Sequence, residues 1–325
     1  MANRNPLVTI LIPTYKRTEL LKQAIESVLS QSYKNLQLVI LDNASMDETG
    51  QIVKHFMDTD KRVVLVENEM NIGVNANFRK SFNYIKGEYF CWLCSDDMMP
   101  PGNLEKQVDF LIEHPDIPLV AGTNQVIDKN NNITTPPLVY PQESIVSVRP
   151  ELDRFLGRRR CWMFSIDGIL FRTDYVLCNR IDIGNYLNMD AYFQAEMLLY
   201  TENIGFINEP SVIRRYHTEH FDERNINVYF LSWVQMHYQV YEFINRFEYL
   251  LMHKGYPVEK YKFKLFIIFC KASLGADRNL SVFCERIAGK LLFDIIHQNI
   301  ISIFLVPFKI AFTLFYPAYR KYIKK

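Results

Sequence analysis

The chain has 325 residues, 49% of them apolar and 22% charged, and its 37 Lys and Arg nearly balance 36 Asp and Glu. That composition excludes a disordered or collagen-like chain and fits a folded protein of one or two domains, while a charge so near zero gives no whole-molecule grip on nucleic acid. Aromatic residues reach 14%, with 19 Tyr and 23 Phe, an excess of side chains that gather in cores, at ligand platforms and at membrane interfaces.

Residues 7–12 form an unbroken β-prone run ending at Pro13, the pattern of a buried parallel strand. Leu20, Leu21, Ala24, Ile25, Val28 and Leu29 then repeat at helical spacing, predicting an amphipathic helix over 18–30 with Thr18 as its N-cap. Strands follow at 36–41, 63–67 and 89–93, with helices at 47–57 and 75–85 between them. This alternation predicts a parallel α/β sheet with right-handed crossovers, whose ligands sit beyond the carboxyl ends of the strands. Polar residues collect at those ends, in 13–17, 42–45, 68–73 and 95–97.

Residues 115–222 continue the sheet, with short strands at 119–123 and 168–172 and a helix at 190–200. From about residue 224 the pattern changes to long aromatic-rich helices at 228–251, 261–273 and 281–297. We therefore expect a domain of residues 1–222, with a nucleotide-binding half at 1–103 and an acceptor half at 104–222, and a helical region at 223–325.

Cys91, Cys94, Cys161, Cys178, Cys270 and Cys284 read as reduced thiols, because no apolar leader segment follows Met1 and export is not expected. Cys91 and Cys94 lie three apart in a strand, on opposite faces, so they read as buried small hydrophobes rather than a shared metal site.

Asp96-Asp97 follows a strand and precedes the turn that leads into a helix at Leu104. Adjacent carboxylates persist at neutral pH most readily beside a cation, and one or two carboxylates with ligand phosphates are how Mg²⁺ or Mn²⁺ is held; the other reading is a solvated turn before a helix N-terminus. Asp42 opens a loop of short polar side chains, with Asn43, Ser45 and Asp47, suited either to a base or ribose or to ordinary helix capping. Neither a Gly-x-Gly-x-x-Gly nor a Walker loop occurs.

Taken in order, these segments resemble an inverting, family-2 nucleotide-sugar glycosyltransferase of the GT-A fold, of the type that builds bacterial surface polysaccharide. Pro13-Thr14-Tyr15-Lys16-Arg17 with its helix is similar to the family's first strand and helix. Asp42-Asn43-Ala44-Ser45 resembles its base-recognition loop, Asn71-x-Gly73 with Lys86-Gly87-Glu88-Tyr89 the segment closing over the nucleotide, and Ser95-Asp96-Asp97 with Pro101-Gly102 its metal motif. The resemblance implies a Mn²⁺ or Mg²⁺ cofactor and a nucleotide-sugar donor held by Pro13, Thr14, Tyr15, Arg17, Asp42, Asn71, Gly73, Ser95 and Asp96. It departs at Cys94, where Asp-x-Asp would have its first acid, and at Asn43, where a second Asp is common. Asp96 is then the preferred metal ligand, with Asp97 beside it acting on metal, ribose or structure. A phosphate role for Arg79 is a further reading.

On the acceptor side, Asp167-Gly168-x-Leu170-Phe171-Arg172 and Ile183-Gly184 resemble the strand and approach to the general base. The family's Glu-Asp pair reads Met189-Asp190 here, which makes Asp190 the expected base and Asp182 the next candidate. Arg215-Tyr216-His217 is similar to the closing Tyr-Arg-x-His element and implies His217 at the metal. Arg214, Arg215 and Arg158-Arg159-Arg160 could face phosphates, and Trp162 and Phe164 could shape the acceptor pocket.

Residues 295–325 contain five Lys or Arg and no acid, leaving 32 basic against 36 acidic residues in the rest of the chain. Lys309, Pro307 and Pro317 argue against a membrane span in this apolar stretch. Its tyrosines and terminal cations fit an interfacial segment on anionic lipid, the alternative being a buried terminal helix or an oligomer interface. The expectation is a cytoplasmic enzyme, peripheral on the inner face of the membrane, that transfers a sugar from a nucleoside-diphosphate donor, UDP-linked by preference, to a saccharide or lipid-linked acceptor. A nucleotidyltransferase and a non-catalytic nucleotide- or sugar-binding member of the fold are the alternatives.

Overall fold

Val8–Thr14 forms β1, buried at every position, because a run with no polar face must be covered on both sides of a sheet. It pairs in parallel with β2 (Leu36–Asp42) and β4 (Tyr89–Trp92), and β2 pairs with β3 (Val63–Glu67). The crossovers are α1 (Thr18–Leu29), α2 (Thr49–Thr59) and α3 (Val74–Ser81), the last extended by a 3₁₀ turn at Phe82–Tyr84. Thr14 lies opposite Asp42, and Asp42 opposite Glu67, so three strands stop level and their loops share one edge.

The computed structural model describes residues 5–128, 132–135, 140–156, 166–183, 189–215, 226–275 and 278–298. The chain has two compact units, Met1–Phe155 with Arg159–Asp222, and Leu156–Arg158 with Glu223–Lys325.

Later elements of the sheet are α4 (Asn103–Glu113), β5 (Leu119–Ile127), β6 (Ile133–Thr134), β7 (Ile145–Ser147), α5 (Arg149–Leu156), β8 (Leu170–Arg172), α6 (Thr173–Cys178), α7 (Met189–Leu199) and β9 (Asn203–Arg215). The strand order is β3-β2-β1-β4-β8-β5-β9-β7, with β6 on β5. β8 runs antiparallel to both β4 and β5, and β9 runs parallel to β5 with register shifts at Gly122, Thr123 and Asn124. The result is the expected mixed, mostly parallel sheet, with its antiparallel pairings confined to the region beyond β4.

Alternation along the strands divides the core. Ile10, Ile12, Leu38, Ile40 and Cys91 face α1 and α4 residues such as Leu21, Ile25 and Leu104; Leu11, Val39, Leu41, Phe90 and Trp92 face the other way, toward Phe171 and Phe193. Cys91 and Cys94 fall on opposite faces, as their spacing requires. Phe90, Trp92, Phe82 and Phe193 meet mostly edge to face, with Trp92 5.1 Å from Phe90 and 5.2 Å from Phe193, and Trp92 Nε1 donates to Ser81 Oγ at 2.9 Å. Each such ring pair contributes about 0.5–1.5 kcal/mol beyond its area. Part of the aromatic excess is thus core beneath the sheet.

Two helix starts differ from expectation. Arg17, not Thr18, precedes the first turn of α1, and the Thr18 hydroxyl instead lies 3.4 Å from Asp47 Oδ2. α2 begins at Thr49 because Asp47 Oδ1 accepts the Thr49 N–H at 2.9 Å, capping it from the preceding loop.

The second unit contains α8 (Ile226–His253), with non-helical backbone at Phe247, α9 (Val258–Gly275) and α10 (Arg278–Gln298). Lys262, its side chain 1% exposed, donates to Glu248 Oε1 at 2.6 Å, which satisfies a charge that burial would otherwise penalise. Among the described residues no helix is long and apolar enough to cross a membrane. Most of the basic aromatic tail, 299–325, lies outside the described residues.

Candidate active site

Beyond the carboxyl ends of β1, β2 and β4 opens a cleft of about 520 Å³. Pro13, Thr14, Tyr15, Arg17, Asn71, Gly73, Ser95 and Asp96 line it, with Asn43, Val74, Asn77, Phe78 and Cys94. Of the expected donor-binding residues, Asp42 alone is not in the wall. It is buried behind it, accepting the Ser45 hydroxyl and the Ser45 N–H at 3.2 Å. Ser45 Oγ in turn accepts the Lys16 N–H at 2.9 Å, so one serine ties the loops after β1 and β2 together. Lys16, Ala44 and Met46 all hold positive φ, at 53°, 60° and 56°, a concentration of backbone strain that neighbouring contacts must offset. Burial pushes the Asp42 carboxyl up, against the pull of Ser45.

A chain of asparagines forms one side of the cleft. Asn43 Nδ2 donates to Asn71 Oδ1 at 2.9 Å, while Asn43 Oδ1 accepts from Asn68 Nδ2 and from the Ile72 N–H, each at 3.0 Å. Asn68 Nδ2 also donates to Asn77 Oδ1 at 2.9 Å, Asn77 Nδ2 donates to the Leu41 carbonyl at 2.9 Å, and Lys80 Nζ donates to Asn68 Oδ1 at 2.6 Å. Asn43 therefore spends both ends of its amide inside the protein, pinning the 68–73 segment to β2. Asn71 and Lys16, beside the Tyr15 hydroxyl, hold that phenol below its usual range. The buried Thr14 hydroxyl has no protein partner among the described residues.

Next to the cleft lies an acidic centre. After β4 the chain turns, with the Asp97 N–H donating to the Cys94 carbonyl at 3.1 Å, and Met98 pairs with Ile213 through reciprocal backbone bonds of 3.0 and 2.8 Å. This bridge brings the end of β9 to the turn, where Asp97 Oδ1 accepts the Arg215 N–H at 2.8 Å. Asp167 arrives from another direction. It pairs with Trp92 as an isolated parallel bridge, and its Oδ1 accepts the Cys94 N–H at 2.9 Å. Gly168 makes that approach possible: its φ is +70°, and a Cβ there would stand 2.6 Å from the Ser211 carbonyl oxygen. Cys94 Sγ and one oxygen each of Asp97 and Asp167 lie within 4.8 Å of one another.

The electrostatics follow from burial and like charge. Asp97 is pushed up to about 7, first by desolvation and then by the Asp167 charge, against the pull of the Arg215 N–H and of Arg214. Asp190, in the first turn of α7, is also raised to about 7 by desolvation and then by Asp167, and Arg214 again opposes the shift. Burial, then Asp167, Asp97 and Asp190, drive the Cys94 thiol well up. The carboxylate oxygens beside it are hard donors, the chemistry that fits Mn²⁺ or Mg²⁺.

The two adjacent acids separate. Asp97, 5% exposed, joins this group, whereas Asp96 turns into the cleft and pairs with Arg17. Arg79 does not face the cleft; its Nε donates to Asp182 Oδ1 at 3.0 Å and a terminal nitrogen donates to the Ile183 carbonyl. Asp182 is thereby engaged in an ion pair, and Asp190 is the candidate base whose field overlaps the acidic centre. Asp167 was not among the expected site residues; only its place before Gly168 marked it. His217, Arg158, Arg159, Arg160, Trp162, Phe164 and Gly184 lie outside the described residues.

Residues 9–176 match the family model described as glycosyl transferase family 2. An uncharacterized glycosyltransferase of Methanocaldococcus jannaschii is 35% identical over 130 residues, 39% of this chain and 45% of its own length. The glycosyltransferase GlyA of Streptococcus pneumoniae is 24% identical over 78% of this chain and 36% of its own, and a candidate teichuronic acid biosynthesis glycosyltransferase of Bacillus subtilis, TuaG, is 33% identical over 35% and 45%. The matches to these relatives span about half of their length or less. Among solved structures, S. aureus TarS 1-349 in complex with UDP-GlcNAc superposes with a TM-score of 0.57 at 13% identity, over 89% of this chain and 90% of that one. A Pyrobaculum calidifontis mannosyltransferase in complex with GDP-Man and Mn²⁺ gives 0.51 at 15% identity, over 89% and 81%; both likenesses concern the fold. With a family model covering more than half of its residues and a GT-A sheet in its first unit, the chain belongs to glycosyl transferase family 2.

Proposed function

We propose that the chain transfers a sugar, with inversion, from a nucleoside-diphosphate sugar to a saccharide or lipid-linked saccharide acceptor during surface-polysaccharide synthesis. The observation that carries this reading is the junction at Cys94: it lines the cleft and also belongs to the acidic centre, so a donor in the cleft would end beside Asp97, Asp167 and Asp190. UDP is the favoured nucleotide, in keeping with the UDP-GlcNAc complex of TarS, and the surface-polysaccharide role is in keeping with the name of TuaG.

In this reading Tyr15 and the asparagine wall receive the base and ribose. Asp96, which lines the cleft, would hold the divalent cation beside the donor's phosphates, with Asp97 and His217 as the further metal-side residues. The cation, when bound, supplies charge stabilisation to the departing diphosphate. Asp190 accepts the proton of the acceptor hydroxyl as its oxygen attacks the anomeric carbon in a single displacement. A carboxyl raised toward 7 is a more basic carboxylate once ionised, which suits that task. The basic tail, by its composition, would hold the enzyme peripherally on the inner face of the membrane.

The test is incubation of the full chain with Mn²⁺ and a panel of nucleotide sugars, reading nucleoside diphosphate release with and without saccharide acceptors and the anomeric configuration of the product. Acceptor-stimulated release from a UDP-sugar is expected. No turnover and no nucleotide binding with any donor would refute the reading.

A further inference from the structure

The two ends of α3 serve different parts of the first unit. Gly73, Val74, Asn77 and Phe78, at its start and middle, line the cleft. Its last turn reaches the chain that leads into α7: Arg79 Nε donates to Asp182 Oδ1 at 3.0 Å, and a terminal nitrogen of the same guanidinium donates to the Ile183 carbonyl. Three residues further on, the Phe82 ring lies 6.3 Å from the ring of Phe193 in α7. Asp190 falls between these two anchors in the sequence, after Ile183 and one helical turn before Phe193. Ile183 and Phe193 are both fully buried in one apolar cluster, which also contains Phe78. A guanidinium that binds a carboxylate and a main-chain carbonyl at once fixes the backbone it grips, because its donors form a rigid planar fork.

We infer that Arg79 is a positioning residue for the transfer step: by tying the backbone at 182–183 to α3, it sets where Asp190 stands relative to a donor held along the same helix. This rests on the glycosyl-transfer reading above, with Asp190 as the base. Arg79 is not among the residues of the cleft wall, so its effect falls on the rate of transfer and not on the affinity for nucleotide. Rate is sensitive to such placement, since a shift of about 1 Å in a reacting group can cost about 100-fold. The Arg79 and Asp182 side chains are 39% and 45% exposed, where an ion pair adds little to folding. Loss of the pair is therefore compatible with a folded chain.

The experiment compares the full native chain with Arg79→Met, Arg79→Lys and Asp182→Asn, reading kcat for acceptor-dependent sugar transfer and, separately, Kd for UDP by calorimetry. Arg79→Met keeps an unbranched stem and loses every donor. It should lower kcat by about 10-fold or more while Kd for UDP stays within about 2-fold of the native value. Arg79→Lys, which keeps a cationic donor, should recover most of that loss. An Arg79→Met protein with native kcat overturns the inference and leaves the transfer reading intact. So does an equal loss in the Met and Lys variants, which would assign the effect to packing of the stem, or a loss of UDP affinity in step with kcat. If Arg79→Met melts early, Asp182→Asn provides the second measurement. It keeps an oxygen for the Arg79 Nε–H and removes the charge, so kcat should fall about 3-fold with UDP affinity unchanged, and native kcat overturns the inference. A native chain that turns over no nucleotide sugar removes both readings together.

Discussion

Arg17 reaches from the loop after β1 to the carboxylate of Asp96, 79 residues further along the chain, and both side chains line the cleft. The pair is partly shielded, with 32% and 14% of the side chains exposed, so its worth to folding is modest, within about 1 kcal/mol. Its larger consequence is to fix where Asp96 points. Arg17→Ala is expected to shift the unfolding midpoint little and to weaken UDP binding, measured calorimetrically, about 10-fold, the scale of one charge-assisted hydrogen bond. Unaltered affinity would show that the ion pair has no part in the nucleotide site.

Asn43 offers a sharper separation of roles. Asn43→Asp keeps the acceptor used by Asn68 and the Ile72 N–H but loses the donor to Asn71; Asn43→Leu loses all of them in a buried place. Urea unfolding should therefore show about 1 kcal/mol lost in the first variant and about 2–4 kcal/mol in the second. Equal losses would mean that the bonds from Asn68 and the Ile72 N–H contribute nothing.

Gly168→Ala combines a left-handed backbone with a Cβ 2.6 Å from the Ser211 carbonyl oxygen, an atom of β9 that cannot swing aside. A destabilisation of about 2–4 kcal/mol is expected, from the positive φ and the overpacking together. A protein as stable as the native chain would contradict the close approach.

The acidic centre predicts opposite pH trends for stability and for rate. Asp97 and Asp190 are raised in the folded state to about 7, so between their unfolded values and about 7 the native protein holds more protons than the unfolded chain. By linkage, the stabilisation is fully present below pH ~4 and is lost as pH rises through about 7. In chelator, the contribution of this centre should thus decline from pH 4 to 8, and Asp97→Asn should flatten the decline in chemical unfolding curves. The proposed mechanism needs Asp190 ionised, so the rate of transfer should rise toward a plateau above pH 7, and Asp190→Asn should abolish transfer while sparing donor binding.

Periodicity revealed the first half of the sheet because each of its signals is local. The residues 63–67 expected as a strand are those of β3, and the helices after residue 224 agree within a few positions. The cleft wall was legible for the same reason: Tyr15, Asn71 and Ser95 each follow a parallel strand, and the loops after parallel strands share one edge of the sheet. Where pairing was distant, pattern gave no warning. Nothing near Asp167 announces a bridge to Trp92, nothing in Asn43 says that its amide is spent on Asn68 and Asn71, and nothing in Arg79 indicates its pairing with Asp182, 103 residues away. Asp96 and Asp97 are neighbours in sequence with opposite surroundings, because the Met98–Ile213 bridge fixes one and leaves the other to the cleft.

That bridge also has a consequence for the order of synthesis. The backbone of Arg215 completes the contact with Asp97 across 118 residues of intervening chain, a loop that must be closed before the centre exists. Asp97, Asp167 and Asp190 are all made before β9, and Asp97 gains its backbone donor only with the last residue of that strand.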